Sequence, residues 1–304
     1  MNKISVIIPT HNRANLLKRA IRSIQNQTLP VNEIIIVSDG STDNTKDVVS
    51  AMQKRDSRIK FISYYPGRNG NYARNRGLES ATGTYIAFLD DDDEWLPQKT
   101  EKQMKLFEED SSIGLVYGAQ NCIYVDCNLK YVTKPSWKGN LSERIFIHND
   151  IGTPSQVIIK KSLLDQVGNF DLNLRALQDY DLWIRCCQNA KISFIKEPCI
   201  NYYNEASTNQ VSANTDRYIE ARRYIAKKYE NIIKTFSAAQ QKKIRAIVEI
   251  RIAQRCLRNG DKKKARKYII NSLKIQFSSY AIAMLMASLV PYSFVLKIRS
   301  KFKY

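Results

Sequence analysis

Four consecutive aspartates, Asp90 to Asp93, followed by Glu94, form the densest cluster of potential catalytic groups in the sequence. They directly follow residues 84–89, whose β-branched, aromatic and aliphatic side chains predict a buried strand. Adjacent carboxylates at a strand end repel one another unless a cation offsets their charge. Oxygen ligands of this kind suit Mg²⁺ or Mn²⁺, which also accept substrate phosphates. The alternative, an acidic solvated loop, is disfavoured by the flanking strand and by Trp95 and Pro97, which close the cluster.

Strands and helices alternate at short spacing around this cluster. Apolar runs that predict strands lie at residues 4–8, 33–37 and 58–64, and amphipathic segments that predict helices lie at 13–26, 45–54 and 71–80. This alternation is typical of an α/β fold with a mostly parallel, twisted sheet flanked by helices. Ligands of such sheets bind beyond the carboxyl ends of the strands. Thr10, Asp39 and Asp90 fall there, which predicts that they converge on one site.

The phosphate-binding signatures of other α/β enzymes are absent from the sequence. No Gly-x-Gly-x-x-Gly follows the first strand, and there is no Gly-x-x-x-x-Gly-Lys-Ser/Thr loop, which argues against a dehydrogenase and a P-loop ATPase. The six cysteines form no Cys-x-x-Cys pair, and the N-terminus lacks a signal-peptide core, so we expect a cytoplasmic protein with free thiols. The two histidines, His11 and His148, are expected to be ordinary loop residues.

The positive charge of the chain is concentrated in its C-terminal third. The formal net charge is +19, and residues 211–304 contain 22 Lys+Arg and 5 Asp+Glu, a net charge of +17. Such a segment attracts nucleic acid or an anionic membrane face. Residues 276–296 carry no charge and lie between the basic stretches Lys262 to Lys267 and Lys297 to Lys303. They predict an interfacial membrane helix, a helix packed on the rest of the protein, or a membrane span.

Five motifs that follow one another along the chain resemble those of a known enzyme family. They are Ser5 to Arg13, Val37 to Asp43, Ala73 to Gly77, Phe88 to Trp95 and Gln178 to Trp183. In this order they resemble the motif series of the inverting family 2 glycosyltransferases, which have the GT-A fold. The resemblance covers residues 4–207. It implies a GT-A catalytic domain at residues 1–210. The charge and helical spacing of the remainder predict a basic helical extension at 211–304, which we expect to associate with a membrane surface.

The resemblance also implies roles for nine residues. Those implied to bind the nucleotide sugar are Pro9, Thr10, Arg13, Asp39, Arg74, Asp90 and Asp91, with Asp39 accepting from the uracil N–H. Asp92 is implied to bind a divalent cation, Mn²⁺ or Mg²⁺, and Asp179 to be the catalytic base, with Asp181 as the alternative. In an inverting transfer the base deprotonates the acceptor hydroxyl while the cation stabilises the leaving diphosphate. Trp183 is predicted to lie in the core rather than to form an acceptor platform.

The chain departs from the family pattern in two places. Many members carry a His near the end of the catalytic domain, whereas this chain reads Tyr-Tyr-Asn-Glu-Ala-Ser at residues 202–207. The resemblance implies that Asn204, Glu205 or water replaces that His. Gln178 stands where a Glu is common in the family. The smaller negative charge beside Asp179 leads us to expect that its pKa is not raised.

The function implied is transfer of a sugar from a nucleoside diphosphate sugar, UDP above all, to a saccharide or lipid-linked saccharide acceptor. The resemblance places this reaction in bacterial surface-polysaccharide synthesis at the inner face of the cytoplasmic membrane. Two other functions stay open, namely a catalytically inactive sugar-nucleotide-binding protein and a nucleic-acid-binding protein that uses the basic extension. No nucleic-acid partner is expected, because the acidic cluster repels phosphates and no nucleic-acid-binding motif is visible.

Overall fold

The computed structural model describes residues 3–126, 128–204, 214–291 and 294–295. These residues form two compact units. The first contains the chain up to Ile145, together with Asn149–Leu172 and Asp179–Asn204, and the second contains Phe146–His148, Asn173–Gln178 and the chain after Asn204. The predicted boundary between residues 210 and 211 lies outside the described residues, as do Glu205 and the basic stretch from Lys297 to Lys303.

A nine-stranded sheet forms the centre of the first unit. Its strands are β1 Ile4–Thr10, β2 Glu33–Asp39, β3 Ile59–Tyr64, β4 Tyr85–Phe88, β5 Glu94–Trp95, β6 Ile113–Tyr124, β7 Leu129–Thr133, β8 Ile158–Lys160 and β9 Lys191–Asn204. The strand order is β3-β2-β1-β4-β8-β6-β9-β5, with β7 paired to β6. The half from β3 to β4 is parallel as predicted. The other half is mixed, because β8 is antiparallel to both β4 and β6, whereas β9 is parallel to β6.

Helices cover both faces of the parallel half, which confirms the predicted α/β class. The helices of this unit are α1 Ala14–Gln25, α2 Thr45–Gln53, α3 Gly70–Ser80, α4 Lys99–Glu109, α5 Lys161–Val167 and α6 Gln178–Asn189. Val6 and Ile8 of β1 share a buried cluster with Leu17 of α1. Ile7 points to the opposite face, where Gly77 of α3 approaches it so closely that a Cβ would lie 2.4 Å from its Cγ2. Strands buried on both faces read as continuous apolar runs, as β1 and β2 do.

Two strands are longer than the sequence predicts. The apolar runs at 113–117 and 121–125 predict two short strands, but the structure joins them into the single strand β6. In the same way, the runs at 192–195 and 200–203 are joined into β9. These strands pair with each other along their length, and the register shifts on either side of Ala119, which lies opposite Pro198. A bulge tolerates a residue that cannot donate to the ladder, so Pro198 bends the strand without ending it.

A buried carboxylate fastens the amino-terminal ends of the parallel strands. Glu33 is 4% exposed. Its Oε1 accepts hydrogen bonds from the Ser5 hydroxyl at 2.5 Å and from the Thr82 amide and hydroxyl at 2.7 and 2.9 Å, and its Oε2 accepts from Lys60. Burial opposes the charged form, but these four hydrogen bonds outweigh it and lower the pKa of Glu33 to about 2.

We expect Glu33→Gln to destabilise the protein by about 2–4 kcal/mol at pH 7, because a neutral amide replaces a carboxylate that accepts four hydrogen bonds. The folded-state pKa of Glu33 lies below its unfolded value, so its contribution is complete above about pH 4.3 and is lost as the pH falls toward 2. Urea unfolding of both proteins at pH 7 and pH 3 measures this. Glu79→Gln removes an exposed ion pair and should change stability by less than about 0.5 kcal/mol. An equal effect of Glu33→Gln at both pH values would contradict the assignment.

The second unit is helical, as predicted for the basic extension. Its helices are α7 Thr215–Lys228, α8 Glu230–Lys234, α9 Ala238–Arg258, α10 Lys262–Ile275 and α11 Ser279–Ala287. Side chains of α7, α9, α10 and α11 form one hydrophobic cluster around Ala253, Ala265 and Ile269. Ser237 and Gln240 form a capping box at the start of α9. Within the described ranges, none of the helices is both long and apolar enough to cross a bilayer.

Candidate active site

The carboxyl ends of three neighbouring strands meet at one edge of the sheet. β1 lies between β2 and β4 and is parallel to both. Thr10 and Asp39 are the last residues of β1 and β2, and Asp90 follows β4 by two positions. The structure therefore brings together the residues that the sequence predicts to converge.

Asp91 and Asp92 are held by residues from the end of β1 and the start of α1. Asp91 is buried, and its Oδ2 accepts a hydrogen bond from the Thr10 hydroxyl at 2.7 Å. Nη1 of Arg13 donates to Asp91 Oδ1 and to Asp92 Oδ2, each at 3.0 Å. Burial and repulsion from Asp90 and Asp91 nevertheless raise the pKa of Asp92 to about 6. The single positive charge of Arg13 therefore does not balance the two carboxylates that it contacts.

Arg74 of α3 is the second cation of the cluster. It is buried, and its Nη2 donates to Asp90 Oδ1 at 2.5 Å. The charges of Arg74 and Asp90 also act on Asp179 at the start of α6, lowering and raising its pKa respectively. The largest influence on Asp179 is burial, and its pKa is raised. The expectation drawn from Gln178 was therefore wrong, since the low polarity around the carboxyl group decides the shift.

Asp93 and Ser155 brace the acidic cluster from within. Asp93 is 1% exposed, and its Oδ2 accepts a hydrogen bond from the Ser155 hydroxyl at 2.6 Å. The same hydroxyl oxygen accepts from the Asp90 amide at 3.1 Å, and the Ser155 carbonyl accepts from Trp95 Nε1 at 3.0 Å. Burial and the charges of Asp90 and Asp92 raise the pKa of Asp93 well above its ordinary range. Sequence reasoning missed Ser155, which lies 62 residues from Asp93 and in no motif.

Arg19, on the second turn of α1, fixes the backbone of the cluster. Its Nη2 donates to the Asp92 carbonyl, and its guanidinium lies over the Tyr203 ring at 3.9 Å. The Tyr203 hydroxyl donates to Glu94 Oε2 at 3.0 Å, and Asn201 Nδ2 donates to the same oxygen at 2.8 Å. The Glu94 carboxylate is therefore hydrogen-bonded to β9. Contacts from α1 and β9 together fix the acidic loop. One of several basic residues on an amphipathic helix gives no sequence signal for this role.

A cleft of about 500 Å³ lies beside Asp39. It is lined by His11, Asn12, Asp39, Gly40, Thr42, Tyr65, Pro66, Gly67, Arg68 and Asn69. Asp39 Oδ1 accepts a hydrogen bond from the Arg68 amide at 2.6 Å. Gly67 passes so close that a Cβ there would lie 2.6 Å from the Asp39 carbonyl oxygen, and Gly40 adopts φ +70°. Two glycines are therefore required where the wall of the cleft meets the end of β2.

Three residues predicted to line the nucleoside pocket lie outside this set. Pro9 is buried within β1 opposite Val37, and Thr10 and Arg13 bind Asp91. His11, expected to be an ordinary loop residue, lies in the wall of the cleft with its Nδ1 2.6 Å from the Asp39 carbonyl oxygen. Its position directly after Thr10 in the first motif was the signal that could have found it.

The other predicted residues of α6 have structural contacts. Asp181 is fully buried and forms an ion pair with Arg185 at 3.0 Å. Arg185 also donates to the carbonyl groups of Val167 and Gly168, each at 2.7 Å, at the end of α5. Trp183 is fully buried, and its Nε1 donates to the Gly152 carbonyl at 2.9 Å. Asp181 is thus a brace between helices, and Trp183 belongs to the core as expected.

The segment that replaces the family's usual His is described only up to Asn204. Asn204 is buried at the end of β9, and its carbonyl oxygen accepts from the Val125 amide at 3.2 Å. Glu205, the other residue considered for this role, lies outside the described residues.

The profile of the glycosyl transferase family 2 matches residues 5–168, more than half of the chain. The chain belongs to this family. Every strand-end residue of the first three motifs, and the whole acidic cluster, lies within the matched region.

Relatives and solved structures agree with this family. The chain is 30% identical to a GalNAc(5)-diNAcBac-PP-undecaprenol beta-1,3-glucosyltransferase of Campylobacter jejuni, over 98% of this chain and 97% of the relative. The crystal structure of S. aureus TarS 1-349 in complex with UDP-GlcNAc superposes with a TM-score of 0.66 at 18% identity, covering 98% of this chain and 88% of that one. The mannosyltransferase PcManGT from Pyrobaculum calidifontis, in complex with GDP-Man and Mn²⁺, gives a TM-score of 0.60 at 17% identity, covering 95% and 79%. The GT-A fold of this glycosyltransferase is thereby confirmed.

The acidic cluster fits a divalent cation that takes most of its ligands from water and substrate phosphates. Among the described residues, no group of three or more His, Cys, Asp or Glu side chains could enclose a metal ion. The Asp92 side chain is 26% exposed, and burial together with the charges of Asp90 and Asp91 raises its pKa. A cation would relieve the part of this shift that the neighbouring carboxylates cause. Mg²⁺ is commonly bound by one or two carboxylates, water and substrate phosphates. This donor set matches that mode of binding.

Proposed function

We propose that this glycosyltransferase moves a sugar, with inversion, from a nucleoside diphosphate sugar to a saccharide hydroxyl in cell-surface polysaccharide synthesis. The observation that carries the proposal is the meeting of the Asp39 cleft and the acidic cluster at the carboxyl ends of β1, β2 and β4. A cleft beside a charged rim suits a ligand with a flat base at one end and a diphosphate at the other.

The nucleoside would occupy the cleft beside Asp39. One carboxylate oxygen of Asp39 accepts from the Arg68 amide, and the other can accept an N–H of the base. UDP is the preferred donor nucleotide, because uracil presents a single N–H for this contact and the TarS neighbour is described with UDP-GlcNAc. The diphosphate and sugar would then lie toward Arg13, Arg74 and the acidic cluster, with Asp90 and Asp91 near the ribose or donor sugar.

The reaction needs one base and no enzyme nucleophile. Asp179 would take the proton from the acceptor hydroxyl as its oxygen attacks the anomeric carbon from the face opposite the leaving group. Burial raises the pKa of Asp179, which makes it a stronger base once it is ionised. Arg13 and Arg74 place positive charge close to where the diphosphate gains negative charge. A divalent cation, Mn²⁺ or Mg²⁺, held by Asp92 would supply further charge neutralisation there.

The acceptor would be a saccharide carried on a polyprenyl diphosphate lipid. The Campylobacter jejuni relative, which aligns with almost the whole chain, is named for such a substrate. A lipid-linked acceptor would place the enzyme at the inner face of the cytoplasmic membrane. A sugar-nucleotide-binding protein without activity would share the cleft but would neither transfer nor hydrolyse the donor.

Asp39→Asn tests the donor assignment, because the asparagine Oδ1 still accepts from the Arg68 amide while its NH₂ group repels the base N–H. We expect UDP to raise the melting temperature of the wild-type protein with Mn²⁺, and the variant to bind UDP at least tenfold more weakly. Calorimetry with UDP, GDP and the corresponding sugar nucleotides measures the affinities. Asp43→Asn, in the loop between β2 and α2, is the matched control, because the Asp43 carboxylate accepts from the Thr45 and Ala14 amides and does not line the cleft. Equal UDP affinity of wild type and Asp39→Asn would refute the pocket, and binding without turnover of any donor would favour the inactive binder.

A further inference from the structure

The exposed apolar side chains are concentrated in one segment of the second unit. Of thirteen large hydrophobic residues that are exposed within the described part of the chain, seven lie between residues 270 and 294. Phe277 is 77% exposed, Met286 63% and Leu289 62%. Soluble monomers rarely expose contiguous apolar patches, so such a concentration marks an interaction surface.

Helix α11 separates a packed side from an exposed side. Ala281 and Met284 belong to the hydrophobic cluster of the second unit. Ile282 and Met286 are exposed and lie four residues apart, which places them on one face of the helix, and Leu289, two residues after the helix ends, is exposed as well. α11 contains no charged residue, so its exposed face is apolar.

Helix α10 supplies positive charge next to this face. Lys263, Lys267, Ile270 and Lys274 are all exposed and follow the same helical spacing, so they form one stripe. No carboxylate among the described residues contacts these three lysines. Arg266 Nε donates to the Ser288 hydroxyl at 3.0 Å and so ties α10 to the end of α11. A basic stripe and an apolar face therefore belong to one helical hairpin.

We propose that the exposed faces of α10 and α11 form a docking surface for an anionic lipid bilayer. Apolar side chains on a short helix enter the boundary between headgroups and acyl chains, and neighbouring lysines are attracted to anionic headgroups. A second copy of the chain would bring the same lysines opposite these, which like-charge repulsion opposes. A nucleic acid would satisfy the lysines but leave Met286 and Leu289 in water. The lipid-linked acceptor of the proposed function would give this surface its role, but the surface itself stands on the second unit alone.

Sedimentation of the full chain with vesicles tests the proposal. The wild-type protein should bind vesicles of phosphatidylglycerol and phosphatidylethanolamine, and bind phosphatidylcholine vesicles much more weakly. Met286→Ser with Leu289→Ser should weaken binding to the anionic vesicles at least tenfold. Lys263→Ala with Lys267→Ala should weaken it about fivefold per lysine and reduce its sensitivity to salt.

Lys54→Ala with Arg55→Ala is the matched charge control, because both side chains are exposed just after α2 in the first unit and belong to neither helix of the docking surface. The affinity of this control variant for anionic vesicles should stay within about twofold of the wild-type value. Circular dichroism melts should show that all variants are folded. Unchanged vesicle binding of the Met286/Leu289 variant would overturn the proposal. So would a wild-type dimer that the same substitutions abolish in ultracentrifugation, or a complex with duplex DNA in the absence of vesicle binding. Sugar transfer to a soluble acceptor is measured in parallel, since its failure with vesicle binding intact would count against the proposed reaction only.

Discussion

Asp179→Asn should reduce sugar transfer by about 10²–10⁴-fold while leaving the affinity for UDP and the fold unchanged. Asparagine is isosteric and its Oδ1 can still accept from the Tyr180 amide, the hydrogen bond that orients Asp179 at 2.8 Å. Only the ability to take a proton is lost. Single-turnover kinetics with a radiolabelled donor, combined with calorimetric UDP affinities, separates the chemical step from binding.

The pH dependence of the transfer rate provides a second test of Asp179 as the base. A base acts only when it is ionised, and burial raises the pKa of Asp179, so activity should begin to fall at a higher pH than for an ordinary aspartate. Below that pKa the rate should drop about tenfold per pH unit, and this acidic limb should be absent from the residual activity of Asp179→Asn.

Asp181→Asn is the matched control on the same helix. Asp181 is buried and paired with Arg185, so its loss should lower the melting temperature rather than act on the proton transfer. Near-normal turnover of Asp179→Asn, together with loss of activity in a folded Asp181→Asn protein, would transfer the role of base to Asp181.

Asp92→Asn should abolish the increase in UDP-sugar affinity that Mn²⁺ produces. Among the four aspartates, Asp90 is paired with Arg74, Asp91 with Thr10 and Arg13, and Asp93 with Ser155. Asp92 receives one hydrogen bond from Arg13 and is 26% exposed, and Asp90 receives one from Arg74 and is 28% exposed. Both carboxylates are therefore accessible to a cation shared with a diphosphate, and the resemblance to the family motif assigns this role to Asp92. Calorimetric titration of UDP-sugar with Mn²⁺ and with EDTA measures the effect, which we expect to exceed about tenfold.

Asp93→Asn is the control for this prediction, because it makes the same chemical change one residue away. Asp93 is 1% exposed and bonded to Ser155, and burial raises its pKa, so its carboxylate is poorly placed to bind a cation. We expect the Asp93 variant to keep the response to Mn²⁺. Equal responses of wild type and Asp92→Asn would refute the cation role of Asp92.

The parallel half of the sheet and the meeting of Thr10, Asp39 and Asp90 were predictable from the sequence. β1, β2 and β4 are short apolar runs buried on both faces, and the polar residue that each brings to the rim is at its end or within two positions of it. Parallel pairing then places all the carboxyl ends at one edge whatever the exact register. The family, too, could be recognised from motifs that are local in sequence.

The long strands β6 and β9 were not predictable in this way. Gly118 and Pro198 read as breaks, and only the pairing of one strand with the other carries each strand through them. Asp179 is a similar case. Its neighbour Gln178 suggests an ordinary pKa, whereas burial raises the pKa, and Arg74 and Asp90, whose charges also act on it, are distant in sequence.

The sequence by itself therefore determined which chemical groups stand at the rim of the sheet, because strand, motif and polar terminus are contiguous. Only the tertiary structure decided which partners each of the four aspartates contacts. Their partners Ser155 and Arg13 lie 62 and 78 residues away, and such contacts depend on how distant elements pack. Four chemically identical side chains become different because burial and hydrogen bonding differ at each one, which leaves Asp90 and Asp92 partly exposed and Asp91 and Asp93 buried.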